Sequence, residues 1–423
     1  MLKRDVLVIG AGILGLSSAY HVKRTNPDLR VLVIDQFSGP AQGNTAKCAG
    51  GYRDLLTTDA NNKLSASTIR WFRDLQENQG HNIGMYNVGY LYLLSEPEYM
   101  KRKESFNVME KIGVQLKYHE KEDLKTKLPD LQLGQDEEAE EMGLHPIEIG
   151  VQGLNCGIVN ADALAKTYET LFLRLGGEAQ YNTTAEKLVL RPRNELGIPG
   201  EPFVWQSSEI VGADTSRGMI EADTTILAAG AWSGRLLDAI GVDSYMRPKK
   251  RNLYVFDHQN LKRLINTQGF NEYGKLPMVL LPDANVYMKA DLREGNIWLA
   301  ETGGIGREYR LEDDPQPDER VYTENAYYSV VRYLPCFRDV RPVNMWAGQR
   351  SINGVDKQPV VVPTPGMIYV GAATGNGIMK SDALGRTVAA LHNGEAEAVL
   401  FDGRKLRVAD LGIKDRKVGI ERF

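Results

Sequence analysis

The hexapeptide Gly10-Ala11-Gly12-Ile13-Leu14-Gly15 restricts the fold more than any other feature of the chain. It follows an apolar run at residues 5–9 (DVLVI) and opens a stretch of helical spacing at 14–24. Residues 30–34 (RVLVI) are a second apolar run, and Asp35 follows it, twenty residues after Gly15. Runs so short and so apolar predict parallel strands covered on both faces. Strand, turn, helix and strand together make a βαβ unit. Gly10 permits the tight turn, Gly12 lets the backbone approach a pyrophosphate, and Gly15 lets helix and strand pack closely. The start of the helix offers N–H groups and partial positive charge to phosphates. Asp35 can accept hydrogen bonds from ribose hydroxyls, and its charge disfavours a 2′-phosphate. The unit predicts a dinucleotide site without choosing between nicotinamide and flavin.

A chain of 423 residues exceeds one small module, so two domains are the simplest expectation. With 51 Lys+Arg against 55 Asp+Glu, no basic excess points to nucleic acid. Cys48, Cys156 and Cys336 are far apart and odd in number, which argues against a disulfide framework and a cysteine-built metal site. A reducing cytoplasm is the expected setting. Lys3 and Arg4 before the uncharged stretch Val6–Tyr20 imitate a signal peptide, but Asp5 and the glycine spacing oppose that reading. The stretch is also too short to span a bilayer.

Further along, helices are expected at 66–79, 98–112, 162–175 and from Ser381 to about His392. Strands are expected at 85–94, 114–118, 224–228, 252–257, 285–290, 296–300, 359–362 and 367–371. Residues 131–148 are acidic and without period, and read as a surface excursion. The order predicts an α/β protein, a nucleotide domain interrupted by pieces of a sheet-based second domain. The expected division gives 1–84, 152–243 and 345–423 to the first and 85–151 and 244–344 to the second.

GAGILGLSSAY at the N-terminus, Asp35, TTILAAGAWSG at 224–234 and GAATGNGIMKSDALGR at 371–386 occur in one order. That set resembles the D-amino acid oxidase superfamily of flavoenzymes, which includes monomeric sarcosine oxidase, glycine oxidase, dimethylglycine dehydrogenase and dye-linked proline dehydrogenases. The resemblance spans nearly the whole chain. It implies a Rossmann-type FAD domain with an interleaved antiparallel or mixed-sheet substrate domain. It also implies FAD contacts along the turn (Gly10, Gly12, Ile13, Leu14, Gly15) and at Asp35 and Gln36. Asn44, Thr45 and Ala46 belong to a loop, 43–53, that resembles the family segment running past the diphosphate toward the ring system. Ala229, Gly230 and Trp232 resemble the segment passing the adenosine or diphosphate. Gly375, Asn376, Gly377, Ile378, Met379 and Lys380 resemble the loop and helix entry under the flavin pyrimidine, where N–H groups stabilise negative charge.

On the substrate side the resemblance gives Arg53 the carboxylate of the substrate, with a surface salt bridge as the other reading. Tyr287 and Lys289 share one strand face, which is either the active-site wall or the solvent side. Lys380 has three readings, toward the flavin O2, the substrate carboxylate or solvent; in monomeric sarcosine oxidase a lysine falls one position earlier, at Met379. Sarcosine oxidases carry a lysine near flavin N5 that promotes reaction with oxygen, and an approximate alignment puts Trp298 there. Where some of them attach flavin through cysteine this chain has Gln349, and Cys336 lies 13 residues earlier, so non-covalent FAD is expected.

The resemblance implies an FAD-dependent oxidoreductase, a dehydrogenase rather than an oxidase, acting on the C–N bond of an amino acid or N-methyl amino acid by hydride transfer to flavin N5. The expected partner is a small amine or amino acid; nothing in the chain names the electron acceptor or the oligomeric state. Two other readings stand beside it: a 2-hydroxy acid or glycerol 3-phosphate dehydrogenase, and a flavin-bound subunit of a larger electron-transfer complex. The hydroxy-acid reading needs a catalytic histidine, and His81, His119 and His145 cluster nowhere in the sequence. No transmembrane segment and no metal are expected.

Overall fold

The structure is a computed structural model that describes residues 2–301, 309–414, 416, 419 and 421. In its first strand, Leu2–Ile9, Val6 and Val8 enter one core and Leu7 and Ile9 another. Val31 and Val33 of the strand Val31–Ile34 follow the first pair, and Leu32 and Ile34 the second. Both faces of the sheet are covered, and so these runs are apolar throughout rather than alternating. The parallel strands lie in the order Met367–Gly371, Gly218–Leu227, Leu2–Ile9, Val31–Ile34, Glu178–Gln180. Val360–Thr364 closes one edge antiparallel.

The helices Ile13–Thr25, Asp59–Glu77, Ala161–Arg174 and Ser381–His392 supply much of the core on one face. Ile13–Thr25 and Ser381–His392 approach closely: a Cβ on Gly385 would stand 2.3 Å from Ser17 Oγ. His21 Nε2 lies 2.7 Å from Asp382 Oδ1 across that same contact.

The second sheet has eight strands, in the order Asn344–Asn353, Met246–Phe256, Asn296–Glu301, Val286–Asp291, Met278–Leu281, Tyr90–Leu94, Ile149–Gly153, Leu116–His119. All its pairings are antiparallel except that of Met278–Leu281 with Tyr90–Leu94. The expected fold class, a Rossmann-type α/β unit interleaved with a mixed sheet, is borne out. One face of the second sheet (Leu91, Leu93, Tyr254, Phe256, Val286, Met288) packs into its own core. The other face carries Leu253, Val255, Ala300, Tyr287 and Trp298. This face becomes a wall of the cleft described below.

Some elements differ from the sequence expectation. The antiparallel pair Ala185–Pro192 and Ser208–Thr215 extends the first sheet, although its charged, half-wet residues gave no strand signal. The segment 131–148 is not purely a surface excursion: Leu131, Ala139, Leu144 and Ile147 are buried in the second core, anchoring an acidic chain at isolated points. The segment 285–302 resembles the family hairpin on the substrate side of the ring, and its last residue, Thr302, lies outside the described residues. No helix among the described residues is long and apolar enough to cross a membrane.

Candidate active site

The first turn is built as its glycines require. Gly10 has φ +108°, and a Cβ there would stand 2.5 Å from the carbonyl oxygen of Ala228. A Cβ on Gly15 would stand 1.9 Å from the Gly10 carbonyl oxygen; its role is helix packing, and it does not line the cleft. Gly12, Ile13 and Leu14 do line it. The Ile13 N–H donates to Thr45 Oγ1 at 3.1 Å, pinning the 43–53 loop over the helix start. Asp35 accepts from the N–H of Ala11 (2.6 Å) and of Phe37 (2.9 Å), so the acid also braces the turn. Burial pushes its pKa up, against the pull of those two amides.

These residues open into a cleft of about 1010 Å³, at the top of the usual range for ligand pockets, roughly 300–1,000 Å³. Asp35, Gln36, Asn44 and Thr45 line it, as do Ala229, Gly230 and Trp232. Trp232 meets Phe37 edge to face at 6.4 Å. Ala46 is not on the cleft wall; its N–H is committed to the Ala41 carbonyl. Asn44 Oδ1 accepts the Gln349 N–H at 2.7 Å, fastening the loop to the strand Asn344–Asn353. Gln349 also lines the cleft, and its Oε1 is buried with no protein donor among the described residues. A ligand N–H or O–H would satisfy such an acceptor. Cys336 lies partly buried against the second core, whereas Cys48 stands on the cleft wall.

Gly375, Asn376, Gly377, Ile378 and Met379 form another wall. Thr374 and Gly375 have φ of +51° and +77°, which turns the chain into the short helix Ile378–Lys380 and then into Ser381–His392. Lys380 is a correction. It is fully buried and does not line the cleft; its Nζ donates to Asn61 Oδ1 at 2.7 Å. Burial holds it down to about 7, opposed by Glu421. The solvent reading fails, and Lys380 is buried behind the 375–379 wall of the cleft.

Aromatic and cationic side chains from both sheets line the other part of the cleft. Arg53 lies in the cleft wall with its Cζ 5.9 Å from the centroid of Tyr90, and its Nη1 donates to the Leu55 carbonyl at 2.6 Å. Tyr287 lines the cleft, so its strand face turns to the cleft and not to solvent. Burial pushes its phenol up, while Arg350 and Arg251 pull the other way. Lys289, on the same face, is buried outside the lining residues with its Nζ 3.9 Å from the Trp298 ring centroid. Burial brings that amine down to about 8. Trp298 packs edge to face on Trp346 at 4.9 Å and is likewise outside the lining.

Sequence reasoning missed Tyr90, Tyr92, Arg102, Arg251, Arg350 and Glu421, all on the cleft wall. Arg350 adjoins Gln349, and that adjacency was the available signal. Glu421 had none. It reaches back from the far end of the chain to accept from Thr57 N–H and Oγ1, Thr58 N–H and Oγ1, and Asn61 Nδ2. Among the described residues no His/Cys/Asp/Glu group could hold a metal ion.

The turn, the braced acid, the left-handed loop and the orphan Gln349 acceptor fit a flavin dinucleotide. Comparison with known proteins agrees. The family model described as "DAO: FAD dependent oxidoreductase" matches residues 5–391. The FAD-dependent oxidoreductase domain-containing protein 1 of Xenopus laevis is 24% identical over 426 residues, covering 92% of this chain and 79% of that protein. Glycine oxidase of Pseudomonas aeruginosa is 32% identical over 192 residues, 44% of this chain and 46% of its own. The crystal structure of L-proline dehydrogenase from P. horikoshii superposes with TM-score 0.75 at 20% identity, over 97% of each chain. The chain belongs to the DAO family of FAD-dependent oxidoreductases.

Proposed function

We propose that this enzyme is a dehydrogenase that oxidises the C–N bond of an amino acid or N-methyl amino acid, with non-covalent FAD. The bound flavin supplies a hydride acceptor at N5. The chain's own residues orient the substrate and set the charge around it. Arg53 presents a fork to a substrate carboxylate. Tyr90, Tyr92 and Tyr287 enclose the compartment and limit water around the amine.

The observation that carries this reading is the composition of the cleft wall: arginines and tyrosines, and no histidine among the lining residues. Removing a proton from a hydroxyl calls for a placed base. His119 is held by Asp123 and Gln152, and His145 by Asp283, away from the cleft. Amine substrates need no such base once their nitrogen is neutral. The names of the relatives, glycine oxidase and L-proline dehydrogenase, support amine chemistry.

What supports the dehydrogenase assignment is the approximate alignment that sets Trp298 against the oxidase lysine, with Lys289 held against that indole and both side chains outside the lining residues. The test is dye reduction by the protein purified alone. Turnover with amino or N-methyl amino acids and none with 2-hydroxy acids is the expected result. Turnover with hydroxy acids only, or none without a partner subunit, contradicts it.

A further inference from the structure

We propose that the hairpin tip at residues 194–206 is a docking site that seats this protein on an electrically neutral lipid surface. The hairpin is the antiparallel pair Ala185–Pro192 and Ser208–Thr215, and the first of these strands pairs with no other among the described residues. Its tip is built inside out. Leu196, Ile198, Val204 and Trp205 are exposed, Val204 and Trp205 to 107% and 74%. Phe203 stacks on Trp205 with ring centroids 5.7 Å apart. The polar side chains turn inward. Glu201 accepts from the N–H groups of Leu196 (3.0 Å) and Ile198 (2.8 Å) and from Gln206 Nε2 (2.9 Å). Gln206 also donates to the Asn194 carbonyl and accepts the Phe203 N–H. A bonded polar centre therefore holds the apolar side chains outward.

Single exposed apolar residues are ordinary, whereas several grouped on one protrusion mark a contact with lipid or protein. Size favours lipid. A stable protein complex takes about 20–30 residues from each side, and this tip offers five apolar side chains. Backbone bonding favours lipid as well, because a chain entering a bilayer must satisfy its own donors without water. Glu201 and Gln206 take up the N–H groups of Leu196, Ile198 and Phe203, and the Arg193 N–H donates to the Ser207 carbonyl. Pro199 and Pro202 have no N–H to satisfy. Tryptophan, with an apolar body and a polar N–H, settles at the boundary between headgroups and acyl chains. The Glu201 carboxylate limits entry to that boundary, so the protein lies on the surface and does not span it. Charge selects the kind of surface. Lys187, Arg191 and Arg193 each face a carboxylate, of Asp214, Glu221 and Glu209 respectively. With its cations so committed the hairpin has little attraction for anionic headgroups, and zwitterionic lipid is its match.

The test uses holoenzyme and phosphatidylcholine vesicles, with flotation as the readout. The protein should float with the vesicles, and raising the salt should change this little. Phosphatidylcholine brominated in its upper acyl chain should quench tryptophan emission in the unaltered protein and quench it less in Trp205→Phe. The double variant Val204→Ser, Trp205→Ser should bind vesicles about tenfold more weakly or worse, whereas Trp205→Phe, which keeps an apolar ring, should retain most of the binding. Residues 194–206 do not line the cleft, so flavin content and melting temperature of the double variant should match those of the parent protein. Failure of the unaltered protein to float overturns the proposal, as does binding that requires anionic lipid and disappears in salt. Flotation that survives the double variant overturns the assignment to this tip. A tip-dependent oligomer that ignores vesicles gives the tip to a second copy of the chain and likewise overturns it.

Discussion

Arg53 was expected to face the substrate carboxylate and Lys380 the flavin O2, the substrate carboxylate or solvent, and their surroundings separate the two residues. Arg53 stands on the cleft wall against Tyr90. Replacing it by methionine removes one charge-assisted pair, on the order of 2–3 kcal/mol, so KM should rise about thirty- to a hundredfold with flavin content intact. Steady-state kinetics on holoenzyme checks this, and an unchanged KM refutes it. Lys380 is buried beside Asn61, with Glu421, Arg53, Asp356 and Arg416 as electrostatic neighbours. Its amine titrates near 7 when folded, against 10.5 for the ordinary group. Between those values the unfolded chain binds a proton that the folded chain does not, so this group makes stability rise with pH. Below the lower value both states are charged and the full cost of burial remains. Lys380→Met should therefore raise the melting temperature most at about pH 6, and the gain should shrink or reverse by about pH 9. A difference from the parent protein that is the same at both pH values contradicts this.

At the scale of elements, we take the strand Asn344–Asn353 and the loop 43–53, fastened together by the Gln349 N–H and Asn44 Oδ1, as the parts that hold the flavin. Counting along the sequence sets Gln349 against the attachment cysteine of some sarcosine oxidases, and on that reading acid precipitation should release all yellow colour as free dinucleotide. Colour left in the pellet would contradict this, and its loss in Cys48→Ser would trace the bond to the thiol on the cleft wall. How legible each element was follows from how local its cause is. The turn at Gly10–Gly15 and the helix Ser381–His392 were readable because glycine spacing and apolar period act within a few residues. The loop residues Asn44 and Thr45 were readable only through the resemblance. The strand pair at 185–192 and 208–215 was not readable, because its pairing partner, not its own composition, makes it a strand. Arg102 and Glu421 reach the cleft from a helix and from the far end of the chain, and no local pattern encodes such an arrival. Lys380 was legible as a departure from the family pattern, and its three readings stayed open because spacing shows neither burial nor the Asn61 contact.

At the scale of the molecule, we take the parallel sheet and its helices as the FAD domain and the eight-stranded sheet as the substrate domain. The cleft joins them: the nucleotide turn and the 375–379 loop come from the first, and Tyr90, Tyr287 and Arg350 from strands of the second. Reactivity with oxygen belongs to this scale because it depends on which charges the assembled walls present to the reduced flavin. Stopped-flow mixing of reduced enzyme with oxygenated buffer should show slow reoxidation beside rapid transfer to dye, and Trp298→Lys should accelerate it. Reoxidation by oxygen as fast as dye turnover would identify an oxidase. The most direct test of the central claim precedes any acceptor. Oxygen-free holoenzyme is mixed with amino acids, N-methyl amino acids, 2-hydroxy acids and glycerol 3-phosphate, and the flavin absorbance is followed. The account predicts bleaching by an amine, with one equivalent of ammonia or primary amine released per flavin reduced as the imine hydrolyses; bleaching by the hydroxy compounds alone would contradict it.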